Sequence, residues 1–85
     1  MKNHAVLIQH SADIGRVIRE ARDARGTTQR TLSLAAGLAT PALSNIELAK
    51  VDPRLDSVLR LLAVLGLELV VQPRPKDLGP SDVWT

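Results

Sequence analysis

Between residues 11 and 66 glycine cuts the chain into short pieces, and within each piece apolar residues recur at three- and four-residue intervals. Short helices packed against one another satisfy both constraints. In the first piece Ser11 or Asp13 can cap a helix whose stripe of Ile14, Val17, Ile18 and Ala21 runs on to Gly26. In the second, Thr28 offers an N-cap to a helix over 29–36, with Leu32 and Ala35 inward and Gly37 placed for a left-handed stop. Thr40-Pro41 then reads as a helix start, because proline has no N–H to leave unbonded at the first position. That third helix is expected to reach about Leu48 and to bury Leu43 and Ile46. After the loop AKVDPR, a fourth helix is expected from Leu55 to Leu65, with Leu55, Val58, Leu59 and Leu62 inward and Gly66 as its stop. The fold class implied is an all-α bundle of four helices without internal repeats.

What fills such a bundle follows from what the chain lacks. It has 85 residues, no Cys, Phe or Tyr, and one Trp. The core must therefore be small and aliphatic, and disulfides and thiolate metal sites are excluded. A chain of this size buries only roughly 60% of its unfolded surface, so oligomerisation is the stabiliser to expect. No apolar run approaches the ~20 residues that span a bilayer, and the opening MKNHAVLIQHSAD is too short in apolar residues for a secretion signal. The expectation is a soluble, intracellular protein, with no membrane partner and no cofactor. The net charge is +2, but Arg16, Arg19, Arg22, Arg25, Arg30, Lys50, Arg54 and Arg60 outnumber Glu20, Asp23, Glu47, Asp52 and Asp56 within the helical region. That excess permits an anionic partner.

The end of the chain changes character. In GLELVVQP, Leu67, Leu69 and Val71 alternate with Glu68, Val70 and Gln72 before Pro73, which predicts a strand over 67–73. A lone strand is unstable. Its partner is either the same segment of a second protomer, through Leu67, Leu69, Val70 and Val71, or the N-terminal AVLIQ within an arm spanning 1–10; otherwise it packs in extended form on its own bundle. Residues 74–85 read as a flexible tail rich in proline, glycine and charge. Trp84, the sole aromatic, stands in that tail, and reads as an anchor for a pocket on another protein.

The functional signal is TTQRTLSLAAGLATPALSNIELAK, residues 27–50, a short helix, a glycine turn and a second short helix. A helix-turn-helix needs that order: the first helix braces across the DNA backbone and the second enters the major groove. Thr28-Gln29, Leu32, Ala35-Ala36-Gly37-Leu38, Leu43-Ser44-Asn45-Ile46-Glu47 and Lys50 together resemble the lambda-repressor-like (XRE, Cro/cI-type) DNA-binding family, over roughly Ile14 to Leu67. The DNA-binding domain is then 11–66. The resemblance implies that Gln29, beside Thr28, contacts a phosphate and props the recognition helix. Ala39, Thr40, Pro41, Ala42, Ser44 and Asn45 are the candidates for base-edge reading: Asn45 toward adenine, Thr40 and Ala42 toward a thymine methyl, Ser44 toward several bases. Lys50 and Arg30, with Arg54, suit phosphates. No Arg, Lys or Gln leads the recognition helix, so bidentate guanine reading is absent from it and specificity leans on DNA shape, Arg30 or dimer spacing. The family likeness further implies an ion pair between Arg22 and Glu47 joining the first helix to the recognition helix.

The same domain followed by GLELVVQP and a tail closing in Trp is similar to the HipB antitoxins of HipA-type toxin systems. That similarity implies a homodimer on an inverted-repeat double-stranded DNA operator, repressing its own operon and holding a HipA-type serine/threonine kinase toxin inactive. A stand-alone repressor and a pure interaction module are the alternatives. Enzymatic patterns are missing: His4 and His10 have no companion ligands, and no serine sits in a Gly-x-Ser-x-Gly setting.

Overall fold

The computed structural model describes residues 5–74 as four helices, α1 (Ser11–Ala24), α2 (Gln29–Ala36), α3 (Thr40–Glu47) and α4 (Leu55–Val64). α1 packs chiefly on α3, and α2 lies between α3 and α4. The shared core is aliphatic throughout: Ile18, Leu32, Ala36, Leu43, Ile46, Val58, Leu61, Leu62 and Leu65, with Ile14, Ala21 and Leu38 against it. At roughly 1.5–3 kcal/mol for each large side chain removed from water, these residues supply the main driving force.

The helix ends follow local chemistry, with two departures from expectation. His10, rather than Ser11 or Asp13, occupies the N-cap of α1. Asp13 serves from inside the first turn instead, its carboxylate accepting the backbone N–H groups of Gln9 (2.9 Å) and His10 (3.0 Å). Those bonds hold the Asp13 carboxyl below its ordinary pKa, with Arg16 adding to the effect. Thr28 caps α2 as expected, its Oγ1 accepting from the Thr31 N–H at 3.1 Å. α3 begins one residue earlier than Thr40-Pro41 suggested: Ala39 is its N-cap and Thr40 is already helical.

Two inward faces also differ. In α2 the buried residues are Leu32, Ser33 and Ala36, and Ala35 is exposed. In α4 they are Ser57, Val58, Leu61 and Leu62, whereas Leu55 and Leu59 face solvent. The α4 sequence LDSVLRLLAV holds two apolar rows, and periodicity alone cannot choose between them. Gly15, in the middle of α1, records how close the helices come, since a Cβ there would fall on the Ile46 carbonyl oxygen of α3.

The expected strand over 67–73 is not present. Among the described residues there is no strand; 67–74 run without regular structure, as do 5–9. Alternation gives a segment strand character, but ladder hydrogen bonds need a second strand, and neither segment finds one among the described residues. Nor does the segment bury itself on the bundle: Leu67, Leu69, Val70 and Val71 are all exposed, Val71 to 95%. The expectations placed on residues 1–4 and 75–85, including the Trp84 anchor, lie outside the described residues. No helix among the described residues is long and apolar enough to cross a membrane.

Candidate nucleic-acid interface

Three residues separate α2 from α3. Gly37 adopts the left-handed conformation (φ 73°) that ends α2, and its N–H and that of Leu38 return to the carbonyls of Leu34 and Ser33. Leu38 then turns back onto the core and Ala39 runs extended into α3. The turn thus sets α3 against α2 with little freedom. At the far end of α3, Ala49 takes a positive φ of 58° while the Lys50 N–H bonds to the Asn45 carbonyl, closing the helix with a non-glycine residue in the left-handed region.

α3 is two-faced. Leu43, Ile46 and Glu47 are buried; Pro41 is exposed, and Ala42, Ser44 and Asn45 are half-exposed. The expected base-reading residues therefore share the outward side, and Thr40, also half-exposed, sets its Oγ1 2.9 Å from the buried Ser33 hydroxyl. Arg30, Lys50 and Arg54 are exposed around it, and Arg54 also meets Asp56 at 3.1 Å.

The inward side of α3 is held by a carboxylate. Glu47, with only 2% of its side chain exposed, accepts from Arg22 Nε at 2.7 Å and Arg22 Nη2 at 3.0 Å, a two-pronged pair from α1 to α3. Gln29 Nε2 donates to the same carboxylate at 3.0 Å, so α2 joins the cluster. Arg22 also donates to the Thr27 carbonyl at 2.9 Å. Burial by itself would raise the Glu47 pKa; the hydrogen bonds from Arg22 and Gln29, with the Arg22 and Arg19 charges, more than offset it, and the group ends below its ordinary 4.5. Arg22 moves the other way, its pKa raised chiefly by the bond to Glu47. Gln29 is thus engaged inward through one amide N–H, leaving the other for a ligand.

Three contributors escaped the sequence reading. Arg25 donates from the end of α1 to the Leu65 carbonyl beyond α4. Gly15 permits the close approach of α1 to α3. Ser33 is a polar residue at 0% exposure in an aliphatic contact; its one signal is a serine flanked by Leu32 and Ala36 on the inward face. Among the described residues, no buried side-chain nitrogen or oxygen lacks a partner, and no cluster of His, Cys, Asp and Glu could hold a metal.

Residues 18–72 match a family model described as helix-turn-helix. An uncharacterized HTH-type transcriptional regulator, y4dL, of Sinorhizobium fredii is 38% identical over 64 residues, 75% of this chain and 32% of its own length. A second such regulator, from Haemophilus influenzae, is 34% identical over 53 residues, 62% of this chain and 54% of its own. The chain thus spans about a third to a half of the curated relatives it matches. Among solved structures, the restriction-modification controller protein C.AhdI from Aeromonas hydrophila superposes with a TM-score of 0.65 at 29% identity, covering 68% of this chain and 88% of its own. A toxin–antitoxin module from Streptococcus pneumoniae gives 0.64 at 36% identity, covering 74% and 69%.

Proposed function

The chain belongs to the XRE-type helix-turn-helix family, whose members matched here are transcriptional regulators, and on that premise we propose that it is the DNA-binding antitoxin of a toxin–antitoxin pair. In this reading a homodimer binds an inverted-repeat operator, represses its own operon and neutralises a HipA-type serine/threonine kinase. The observation that carries the DNA part is the outward side of α3, where exposed Pro41 and half-exposed Ala42, Ser44 and Asn45 lie opposite the buried Leu43, Ile46 and Glu47, with Arg30 and Lys50 exposed around them. The α3 helix enters the major groove. Asn45 meets adenine, Ser44 an adjacent base, and Ala42 with Thr40, Ala39 and Pro41 lines the apolar edge. Arg30, Lys50, Thr28 and the outward N–H of Gln29 hold phosphates.

The apolar segment Leu67, Leu69, Val70 and Val71 supplies the dimer contact, pairing across the two-fold axis and so setting the spacing of the half-sites. Trp84 serves as the anchor on the toxin. Similarity to a toxin–antitoxin module favours the toxin partner; similarity of the same extent to a restriction-modification controller favours the second reading, a stand-alone repressor with the same DNA face.

Two assays divide these readings. Binding to duplex DNA from upstream of its own gene should weaken by about one log unit per log unit of salt for each phosphate contacted. Affinity purification from source cells should recover a kinase with the intact chain and lose it with Trp84→Ala. DNA binding without any recovered kinase establishes the stand-alone repressor, and absence of sequence-selective DNA binding removes both.

A further inference from the structure

Ser33 lies fully buried between α2 and α3 and makes two hydrogen-bond contacts. Its Oγ is 3.0 Å from the Arg30 carbonyl oxygen and 2.9 Å from Oγ1 of Thr40, the first residue of α3. A serine hydroxyl has one proton, and a carbonyl can only accept. The Ser33 proton therefore goes to Arg30, and the contact with Thr40 requires the threonine proton; the opposite assignment would set two lone pairs against each other at 3.0 Å. The relay Thr40 to Ser33 to the Arg30 carbonyl consumes the single proton of Thr40 and leaves its oxygen with lone pairs alone. Thr40 is nonetheless half-exposed at the leading end of α3.

We propose that Ser33 sets the hydrogen-bond polarity of Thr40, so that Thr40 meets DNA as an acceptor only; this rests on α3 being the groove-entering helix. An acceptor-only oxygen takes the exocyclic amino group of adenine (N6) or cytosine (N4), and the threonine methyl can lie on a thymine methyl. It cannot donate to guanine O6 or N7, to thymine O4, or to a phosphate oxygen. Ser33 touches no base. It is a positioning residue that acts through Thr40, and it makes one base position of the operator selective without any charged or amide reader at the head of the helix.

The test incubates the full-length protein with a pool of randomised DNA duplexes and sequences what it retains, for wild type, Ser33→Ala, Thr40→Ser and Thr40→Val. Ser33→Ala frees the threonine proton. It is expected to raise acceptor-bearing choices, guanine above all, by about threefold or more at the single position facing residue 40, with other positions unchanged. Thr40→Ser keeps the relay and should retain the wild-type preference; Thr40→Val should lose the preference for an amino group, and adding Ser33→Ala to it should change nothing further. A uniform loss across all positions, or no change at any, contradicts the proposal, since either result makes Ser33 only a packing residue. Circular dichroism checks that each variant folds. Should Ser33→Ala unfold, the threonine pair decides: identical preferences for Thr40→Ser and Thr40→Val overturn the assignment. If the wild type enriches no sequence, the groove-helix reading itself fails, a result distinguishable from selective binding that ignores Ser33.

Discussion

Two regions of this molecule solve the same problem in different ways. Around Glu47, α1, α2 and α3 are tied by polar bonds made within the chain: Arg22 and Gln29 close on one buried carboxylate, and Ser33 closes on Thr40. At the flanks, 5–9 and 67–74, the side chains are largely aliphatic and lie in water, and neither segment has entered a ladder. The first region is complete in one chain. The second has no strand partner among the described residues, so the surface that orients α3 is distinct from the surface proposed to join two copies. A protein built this way holds α3 through contacts made within one chain.

The sharpest way to break that contrast is to remove the carboxylate. Glu47→Ala removes the buried partner of the Arg22 guanidinium and leaves it, among the described carboxylates, only the exposed one of Asp23 at 3.4 Å, and should cost about 3–5 kcal/mol in urea unfolding; a loss below about 1 kcal/mol would mean the cluster behaves like a surface pair. Next is Gly15→Ala, which drives a methyl onto the Ile46 carbonyl and should cost about 1–3 kcal/mol by forcing α1 away from α3. Acid probes the same cluster without mutation. Because the folded-state pKa of Glu47 lies below its ordinary 4.5, its contribution is complete above that value and fades as the pH falls below it toward the folded value. Unfolding free energy measured from pH 6 downward should therefore fall less steeply in Glu47→Gln than in wild type.

Smaller effects sharpen the other side. Ala49→Gly relieves the positive φ of 58° and should stabilise by about 0.4–1 kcal/mol, the glycine's added freedom when unfolded being offset by the lost strain. Val70→Lys should change unfolding of the isolated chain by no more than about 0.5 kcal/mol. It should still shift the concentration dependence of light-scattering mass toward monomer if the flank joins two copies; an unchanged mass places the contact elsewhere.

How legible this was in the sequence depends on the kind of signal. The four helices and their order were readable because stops and starts are local: Gly37 and Gly66 do adopt the left-handed conformation, and Thr28 caps α2. Faces were harder. Leu55 and Leu59 formed as good a stripe as Leu61 and Leu65, and only the packing of α2 on α4 selects the second. The strand over 67–73 was inferred from alternation, a property of one segment, whereas pairing is a property of two. Within the candidate site, Glu47 and Arg22 stood out through their resemblance to a known pattern, but Ser33 did not. A serine between Leu32 and Ala36 reads as a gap in a stripe until the threonine seven residues on is folded back against it.

The most direct test of the central claim, that a helix fixed from within presents its outward side to DNA, is the ratio of operator to random-duplex affinity for Asn45→Ala against wild type at one salt concentration. The account predicts that the ratio falls by about tenfold, in line with about 1–3 kcal/mol for a base contact, while random-duplex affinity stays the same. An unchanged ratio, or equal loss on both duplexes, would contradict the assignment of α3 to the groove.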